Sequence, residues 1–148
     1  MSAYRTILVA VDGSDAAARG LREAVRLAKA EDARLCILHV VNAFDAYVGM
    51  EGAGLAADLL GPLREAGRRI LAKAQALAER HEVKAKTVLQ QVTGGPPADA
   101  IVREARKQRA DLIVVGTHGR RGLRRLVLGS DAEQVVRTAS VPVLLVRE

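Results

Sequence analysis

Aromatic side chains are scarce in this sequence. They make up 2% of its 148 residues, and Trp is absent. Because proteins that hold single-stranded nucleic acid rely largely on stacking bases against aromatic rings, a wide stacking platform of that kind is excluded. Hydrophobic residues nevertheless amount to 49%, so aliphatic side chains must fill the core. A chain of this length is expected to form a single domain, residues 1–148, that buries roughly two thirds of its unfolded surface.

Cysteine and long apolar runs are equally sparse. The only cysteine, Cys36, cannot form an intramolecular disulfide, which excludes a disulfide-stapled secreted scaffold. It lies in the apolar run 35–41, where a small buried core residue is expected. That run is far shorter than the roughly 18 residues of a membrane span. The first residues lead into a strand-like run rather than a secretory signal. We therefore expect a cytoplasmic protein that does not enter a membrane.

Acidic side chains are outnumbered in the second part of the chain. Residues 1–60 carry six basic and eight acidic side chains, whereas residues 61–148 carry 17 and nine. The net charge is thus −2 in the first segment and +8 in the second. Such asymmetry indicates an anionic partner, which could be a nucleic acid, a phosphorylated small molecule or a membrane surface.

Strand-like and helix-like patterns alternate along the sequence. Continuous β-branched or aliphatic runs predict five strands, at 6–11, 34–41, 84–91, 111–116 and 143–146. Amphipathic patterns predict four helices, at 15–31, 63–81, 97–107 and 131–139. This alternation predicts an α/β fold with a doubly wound, parallel five-stranded sheet. Ligands of such sheets bind at the carboxyl ends of the strands, near the point where strand order reverses.

Two glycine-containing segments separate these elements. Residues 42–54 hold three glycines and two aromatic residues, and are interpreted as a mobile lid or as a connection without a role. Residues 116–130 run from the fourth strand to the fourth helix and contain four arginines within 120–125. Glycines allow a backbone to approach phosphate closely, and helix N-terminal amides attract it. The second segment therefore predicts a phosphate cradle, with a purely structural turn as the alternative. It lacks the Lys-Ser/Thr pair of a Walker A loop.

The second segment resembles the nucleotide signature of the universal stress protein family. In that signature a glycine, two residues, a glycine and nine residues precede a glycine and a hydroxyl residue, which match Gly116, Gly119, Gly129 and Ser130. Further similarity lies at 7–14, 95–101 and 141–146, so the resemblance spans essentially the whole chain. It implies a parallel sheet in the flavodoxin-like or Rossmann-like order 3-2-1-4-5 and the binding of ATP.

The resemblance also implies roles for individual residues. Ala10, Val11 and Val40 would line the adenine slot, and Asp12 would contact the ribose or the adenine. An acid just beyond a strand can indeed accept hydrogen bonds from sugar hydroxyls. The adenine would be held by aliphatic packing and by backbone hydrogen bonds, because aromatic residues are so few.

The phosphates would lie along the glycine signature. Gly116, His118 and Gly119 would approach the ribose and the phosphates, while Gly129 and Ser130 would hold the phosphate tail at the helix N-terminus.

Two charged residues would flank the phosphate tail. Arg120 would lie within reach of the phosphates. Asp131 suits the first turn of a helix but would repel a phosphate, so a Mg²⁺ ion bridging the phosphates, or an arginine, is expected to intervene.

Several of these residues have simpler interpretations. Asp12 can cap the first helix together with the rest of the segment 12–15, and His118 can be a donor to a neighbouring carbonyl. His39 is expected to be a satisfied core or cleft residue. Ser130 is a candidate N-cap of the fourth helix. The arginines of 120–125 can form a solvated loop.

The sequence thus predicts a small ATP-binding stress-response protein that acts as a sensor or regulator. No nucleophile, general base or zinc-ligand spacing is evident, so at most slow hydrolysis or autophosphorylation is expected. An ATP-using enzyme and, less favoured, a basic nucleic-acid-binding protein are the alternatives. The last strand, Val143–Val146, is expected to lie at an edge of the sheet. The resemblance implies a homodimer that pairs through it.

Overall fold

The structure is a computed structural model that describes residues 2–43, 53–118 and 128–148. Strands and helices alternate through these residues, as the sequence predicts. The elements are β1 (Thr6–Ala10), α1 (Asp15–Glu31), β2 (Arg34–Asn42), α2 (Ala53–Arg80), β3 (Ala85–Val92), α3 (Pro97–Lys107), β4 (Leu112–Gly116), α4 (Ser130–Thr138) and β5 (Val143–Val146). Most of the segment 42–54, interpreted as a lid or as a connection without a role, lies outside the described residues.

The five strands form one sheet, and every pair of neighbours is parallel. The order is β3-β2-β1-β4-β5, which confirms the predicted α/β fold and its strand order. The chain builds the sheet outward from β1 to β3 and then crosses to β4 on the other side of β1. The reversal therefore lies between the carboxyl ends of β1 and β4.

The two faces of the sheet are covered by different helices. Buried residues of α1 and α2, among them Val25 and Ala74, pack on one face against strand residues such as Ile7 and Ile37. Residues of α3 and α4, among them Ile101 and Val135, pack on the other. Burying one such aliphatic side chain contributes about 1.5–3 kcal/mol. Cys36 belongs to the second face and is buried, as expected.

α2 begins ten residues earlier than the sequence predicts. Its start was predicted at residue 63, whereas the helix begins at Ala53 and continues through Pro62. A proline inside a helix removes one backbone hydrogen bond and leaves a carbonyl without its usual donor. Gly61 and Pro62 both lie on the exposed side of α2. The helix thus continues through a proline at an exposed position, which the amphipathic pattern alone does not indicate.

The buried stripe of α2 is also rotated relative to the prediction. Ala74 and Ala78 are buried as expected, but Gly67 and Leu71 complete the buried stripe. The other predicted members are half-buried at the margins of the stripe: Leu63, Ala66, Ile70 and Leu77. Gly67 has no side chain to bury, so a pattern of apolar side chains does not indicate its position in the stripe.

One buried acid lies on the opposite face. Glu104 of α3 is buried, and its two carboxylate oxygens accept hydrogen bonds from the amides of Gln90 at 3.0 Å and Gln108 at 2.6 Å. This network satisfies a carboxylate whose burial would otherwise be unfavourable. The pattern of α3 did not indicate that Glu104 is buried, because one of its partners, Gln90, lies on β3 and the other, Gln108, follows the end of the helix.

None of the helices built from the described residues is long and apolar enough to cross a membrane.

Candidate functional site

The candidate site lies where β1 and β4 end, beside the strand-order reversal. Ala10 and Gly116 are the last residues of these two strands. Nine of the eleven predicted site residues are described. Gly119 and Arg120, together with the other arginines of the loop, lie outside the described residues.

The turn after β1 holds Asp12 through its carboxylate. Asp12 Oδ1 accepts a hydrogen bond from the amide of Ser14 at 2.9 Å, and Gly13 between them has a φ of 85°. A positive φ of this kind favours glycine. Ser14 is the N-cap of α1, since its Oγ accepts from the amide of Ala17 at 3.2 Å. The prediction that residues 12–15 cap the first helix is therefore confirmed at Ser14, and Asp12 orients the residue that caps.

The residues predicted for the adenine slot lie on two faces of the sheet. Ala10 and Val40 are half-buried and pack on the face covered by α3 and α4. The side chain of Val11 is buried on the face covered by α1 and α2. Successive residues of a strand point to opposite faces. Val11 can therefore contribute to such a slot through its backbone, and Ala10 and Val40 through their side chains.

Gly116 allows the end of β4 to approach the first turn of α1. A Cβ atom at this position would lie 2.7 Å from the carbonyl carbon of Ala16 and 2.9 Å from the amide nitrogen of Ala17. Both neighbours are backbone atoms that cannot rotate away. Gly116 thus has a packing reason to be glycine, in addition to the predicted approach to a ligand.

The turn after β4 is joined to the turn after β1. The amide of Thr117 donates to the carbonyl of Val146 at 2.9 Å, which extends the ladder with β5. His118 Nδ1 lies 3.1 Å from Thr117 Oγ1, and the His118 carbonyl accepts from Ser14 Oγ at 3.4 Å. His118 was considered as a donor to a carbonyl; in these contacts its own carbonyl is the acceptor.

The glycine-rich segment returns to its starting point. The amide of Gly129 donates to the carbonyl of Thr117 at 2.7 Å. A Cβ atom at Gly129 would lie 2.9 Å from that same oxygen and 3.6 Å from the Cα of His118. The backbones of residues 117 and 129 are therefore in direct contact, and the N-terminus of α4 lies at the end of β4.

The N-cap of α4 is Gly129 and not Ser130, so the prediction for Ser130 is wrong. The carbonyl of Gly129 accepts the first helical hydrogen bond, from the amide of Glu133 at 2.9 Å, and no side chain caps this end. Ser130 is the first residue of the helix and is exposed. Its amide and its hydroxyl are therefore both at the helix N-terminus, where donors and a partial positive charge are concentrated.

Acidic side chains occupy the first turn of α4. Asp131 and Glu133 both lie there, and Glu133 pairs with Arg137 at 2.7 Å. Asp131 is exposed. Carboxylates at this position interact favourably with the helix dipole but repel a second anion.

Other reactive residue types are held in the core. His39 is buried, and its Nδ1 lies 2.7 Å from the carbonyl oxygen of Val11, so the expectation of a satisfied core residue is confirmed. Burial, supplemented by the nearby charge of Glu104, raises the pKa of Cys36 to about 11, so this thiol stays protonated near neutral pH. Within residues 2–43, 53–118 and 128–148, no group of three or more His, Cys, Asp or Glu side chains is placed to hold a metal ion.

Solved structures of universal stress proteins have the same architecture as this chain. The solved structure of the universal stress protein UspA from Lactobacillus plantarum matches with a TM-score of 0.85 at 28% identity, covering 99% of this chain and 100% of that one. The solved structure of the universal stress protein from Archaeoglobus fulgidus in complex with dAMP matches with a TM-score of 0.67 at 27% identity, covering 97% of this chain and 98% of that one. A universal stress protein bound to cAMP matches with a TM-score of 0.70 at 28% identity, covering 99% and 98%.

Sequence comparison identifies the family. A universal stress protein of Methanocaldococcus jannaschii is 38% identical over 145 residues, covering 98% of this chain and 83% of that protein. The model of the universal stress protein family matches residues 3–147. Nearly the whole chain, including the two turns described above, thus falls within one family match. The chain belongs to the universal stress protein family.

Proposed function

We propose that this protein binds ATP, with Mg²⁺ bridging the phosphates, and acts as a nucleotide-dependent sensor or regulator in a cytoplasmic stress response. The observation that carries the proposal is the hydrogen bond from the Gly129 amide to the Thr117 carbonyl at 2.7 Å. It brings a helix N-terminus to the same edge of the sheet as Asp12. The dAMP and cAMP complexes of similar proteins support an adenine nucleotide as the ligand.

The described residues offer suitable partners for each part of a nucleotide. Ala10 and Val40 present half-buried aliphatic surface for the adenine. The carboxylate of Asp12 accepts from the Ser14 amide through Oδ1, and a carboxylate can accept several hydrogen bonds, including those of ribose hydroxyls. Ser130 and the following amides of α4 can donate to phosphate oxygens. In the loop, Gly119 would allow close approach and Arg120 would supply positive charge.

Charge at α4 gives Mg²⁺ a role in this proposal. Asp131 would repel a phosphate at the helix N-terminus, and a divalent cation that binds phosphate and carboxylate oxygens removes this repulsion. When bound, the ion would neutralise phosphate charge.

Rapid turnover of ATP is not part of the proposal. Thr117 is buried and hydrogen-bonded to His118, so its hydroxyl faces the protein. Ser130 is exposed at the helix N-terminus. If a phosphoryl group is transferred to the protein, Ser130 is therefore the hydroxyl that it would reach first. We propose at most slow hydrolysis or autophosphorylation.

A thermal-shift experiment tests nucleotide binding. ATP with Mg²⁺ at about 100 times its dissociation constant should stabilise the folded protein by roughly 2.7 kcal/mol and raise its Tm. Asp12→Asn keeps an oxygen that can accept from Ser14 but removes the charge, and should weaken ATP binding about tenfold. The matched control is Asp15→Asn. Asp15 is an exposed acid in the first turn of α1, and this variant should bind ATP like the wild type.

Two outcomes of the thermal-shift experiment would contradict all or part of the proposal. No change in Tm at millimolar ATP would contradict the proposal. An equal shift with AMP and ATP would show that the phosphate tail is not recognised, while the adenosine part of the proposal would stand. Mass spectrometry of small molecules released from the freshly purified, denatured protein identifies the nucleotide that it carries.

We also propose a homodimer that pairs through β5. This strand lies at the edge of the sheet next to β4, and no strand of the described residues pairs with its other side. Among the described residues, the exposed large hydrophobic side chains are Leu145 of β5, at 37%, and Val136 of α4, at 46%. Sedimentation equilibrium should give a dimer at micromolar concentration, and Leu145→Lys should shift the protein towards monomer. A wild-type monomer under these conditions would contradict this proposal.

A further inference from the structure

His39 is a buried histidine near the carboxyl end of β2. His39 is 5% exposed, and its Nδ1 atom lies 2.7 Å from the carbonyl oxygen of Val11. A carbonyl oxygen can only accept a hydrogen bond. The proton of this contact therefore lies on Nδ1, and His39 is the donor.

The bond falls at the point where β1 leaves the sheet. Pairing between β1 and β2 ends at Ala10 and Leu38, and the amide of Val11 still donates to the Leu38 carbonyl at 2.8 Å. The Val11 carbonyl lies one step beyond the last pair. It accepts a hydrogen bond from the His39 side chain in place of a backbone amide of β2.

This contact bears directly on Asp12. The carbonyl of Val11 and the Cα atom of Asp12 belong to the same planar peptide unit. Holding the oxygen therefore restricts rotation of that plane and fixes where the Asp12 side chain begins. The other end of the side chain is held by the Ser14 amide, 2.9 Å from Oδ1. Asp12 is thus held from two directions, by His39 at its backbone and by Ser14 at its carboxylate.

The ring itself is held by α2. A Cβ atom at Gly67 would lie 2.6 Å from His39 Cδ2 and 2.8 Å from Leu89 Cδ1. No real side chain fits at these distances unless the ring moves. The backbone of α2 therefore packs directly on the edge of the imidazole opposite to Nδ1. A displacement of α2 at Gly67 would be transmitted through the ring to the Val11 carbonyl.

We propose that His39 is a positioning residue for the nucleotide site, and that Gly67 of α2 holds its ring in place. The proposal rests on the proposed function, because it assigns Asp12 to the ribose. His39 itself does not contact the ligand. It orients the peptide between Val11 and Asp12, so that the carboxylate faces the edge of the sheet where the nucleotide would lie.

A pair of variants at His39 separates positioning from packing. His39→Asn places an amide nitrogen close to the position of Nδ1 and keeps the donor, whereas His39→Leu keeps bulk and removes it. We expect His39→Leu to weaken ATP binding about tenfold, and His39→Asn to restore most of that loss. Backbone amide chemical shifts and hydrogen exchange of Asp12, Gly13 and Ser14, measured without nucleotide, should change in the leucine variant and much less in the asparagine variant.

A second pair tests the contact with α2. Gly67→Ala should reproduce the binding defect and the amide shifts of His39→Leu, because its Cβ displaces the ring. Gly61→Ala is the matched control: it is a glycine of the same helix with no described atom within 4 Å of its Cβ position, and it should leave both readouts unchanged. Thermal unfolding of each nucleotide-free variant reports folding separately.

The outcomes separate this inference from the proposed function. If the wild type binds no adenine nucleotide, the proposed function fails, while the nucleotide-free amide shifts still decide whether His39 orients the turn. If ATP binds but His39→Leu and His39→Asn bind it as tightly as the wild type, and the amides of Asp12 to Ser14 do not shift, the positioning role is overturned. Equal losses in both variants would also overturn it, since packing alone would then explain them.

Discussion

Replacing Gly116 with alanine should destabilise the protein by about 2–3 kcal/mol, one of the largest effects expected of adding a single methyl group. The new Cβ would lie 2.7 Å from the carbonyl carbon of Ala16 and 2.9 Å from its oxygen. Both atoms belong to the backbone of the first turn of α1, so neither can move without displacing the helix. Urea unfolding followed by circular dichroism measures the loss.

Gly20→Ala provides the opposite result at the same interface. Its Cβ would lie 3.6 Å from the Gly116 amide nitrogen and 3.8 Å from the Val115 carbonyl carbon, which are ordinary packing distances. Gly20 lies inside α1, where alanine is favoured over glycine by about 1 kcal/mol. We therefore expect Gly20→Ala to stabilise the protein. Equal and small effects at the two glycines would show that α1 adjusts its position easily and that the close approach does not constrain the sequence.

Gly129→Val should weaken ATP binding about a hundredfold, or about 2.7 kcal/mol. The φ of Gly129 is −58°, which any residue can adopt, so the effect does not come from backbone strain. It comes from the Thr117 carbonyl oxygen, 2.9 Å from the new Cβ. The side chain would push residues 117 and 129 apart and move the amides of α4 away from the phosphates. Isothermal titration with ATP and Mg²⁺ measures the change.

The matched control for this experiment is Gly94→Val. Gly94 lies in the exposed connection before α3, and no described atom lies within 4 Å of its Cβ position. It should bind ATP with wild-type affinity. If Gly129→Val folds and binds ATP as tightly as this control, the phosphates do not lie at the junction of Thr117 and Gly129. The proposed arrangement of the phosphate tail would then be wrong, whatever the status of the adenine.

The strands could be predicted from the sequence because both faces of the sheet are covered. β1, β2 and β4 are almost continuously apolar, and this pattern differs clearly from the helical periodicity between them. The capped helix α1 and the proline-initiated helix α3 were predicted with the bounds that the structure has. Local signals of this kind require no knowledge of the partner surface.

The errors arose where a distant contact decides the local structure. Ser130 was predicted as the N-cap of α4, but the N-cap is Gly129, whose amide is held by the Thr117 carbonyl. A helix start at 63 was inferred from the amphipathic pattern, whereas α2 begins at Ala53 and continues through the exposed Pro62. Gly67 carries no signal of burial, since its importance lies in the ring that packs against it.

The sequence by itself determined the family, the α/β class and the order of the elements, because apolar runs, amphipathic helices and the glycine spacing are written along the chain. Only the tertiary structure decided how the candidate site is held together. The contacts of Thr117 with Gly129, of Ser14 with His118 and of His39 with Val11 join residues far apart in sequence. Such bonds depend on distances between elements. Those distances are set when the two faces of the sheet are packed, so no local pattern can encode them.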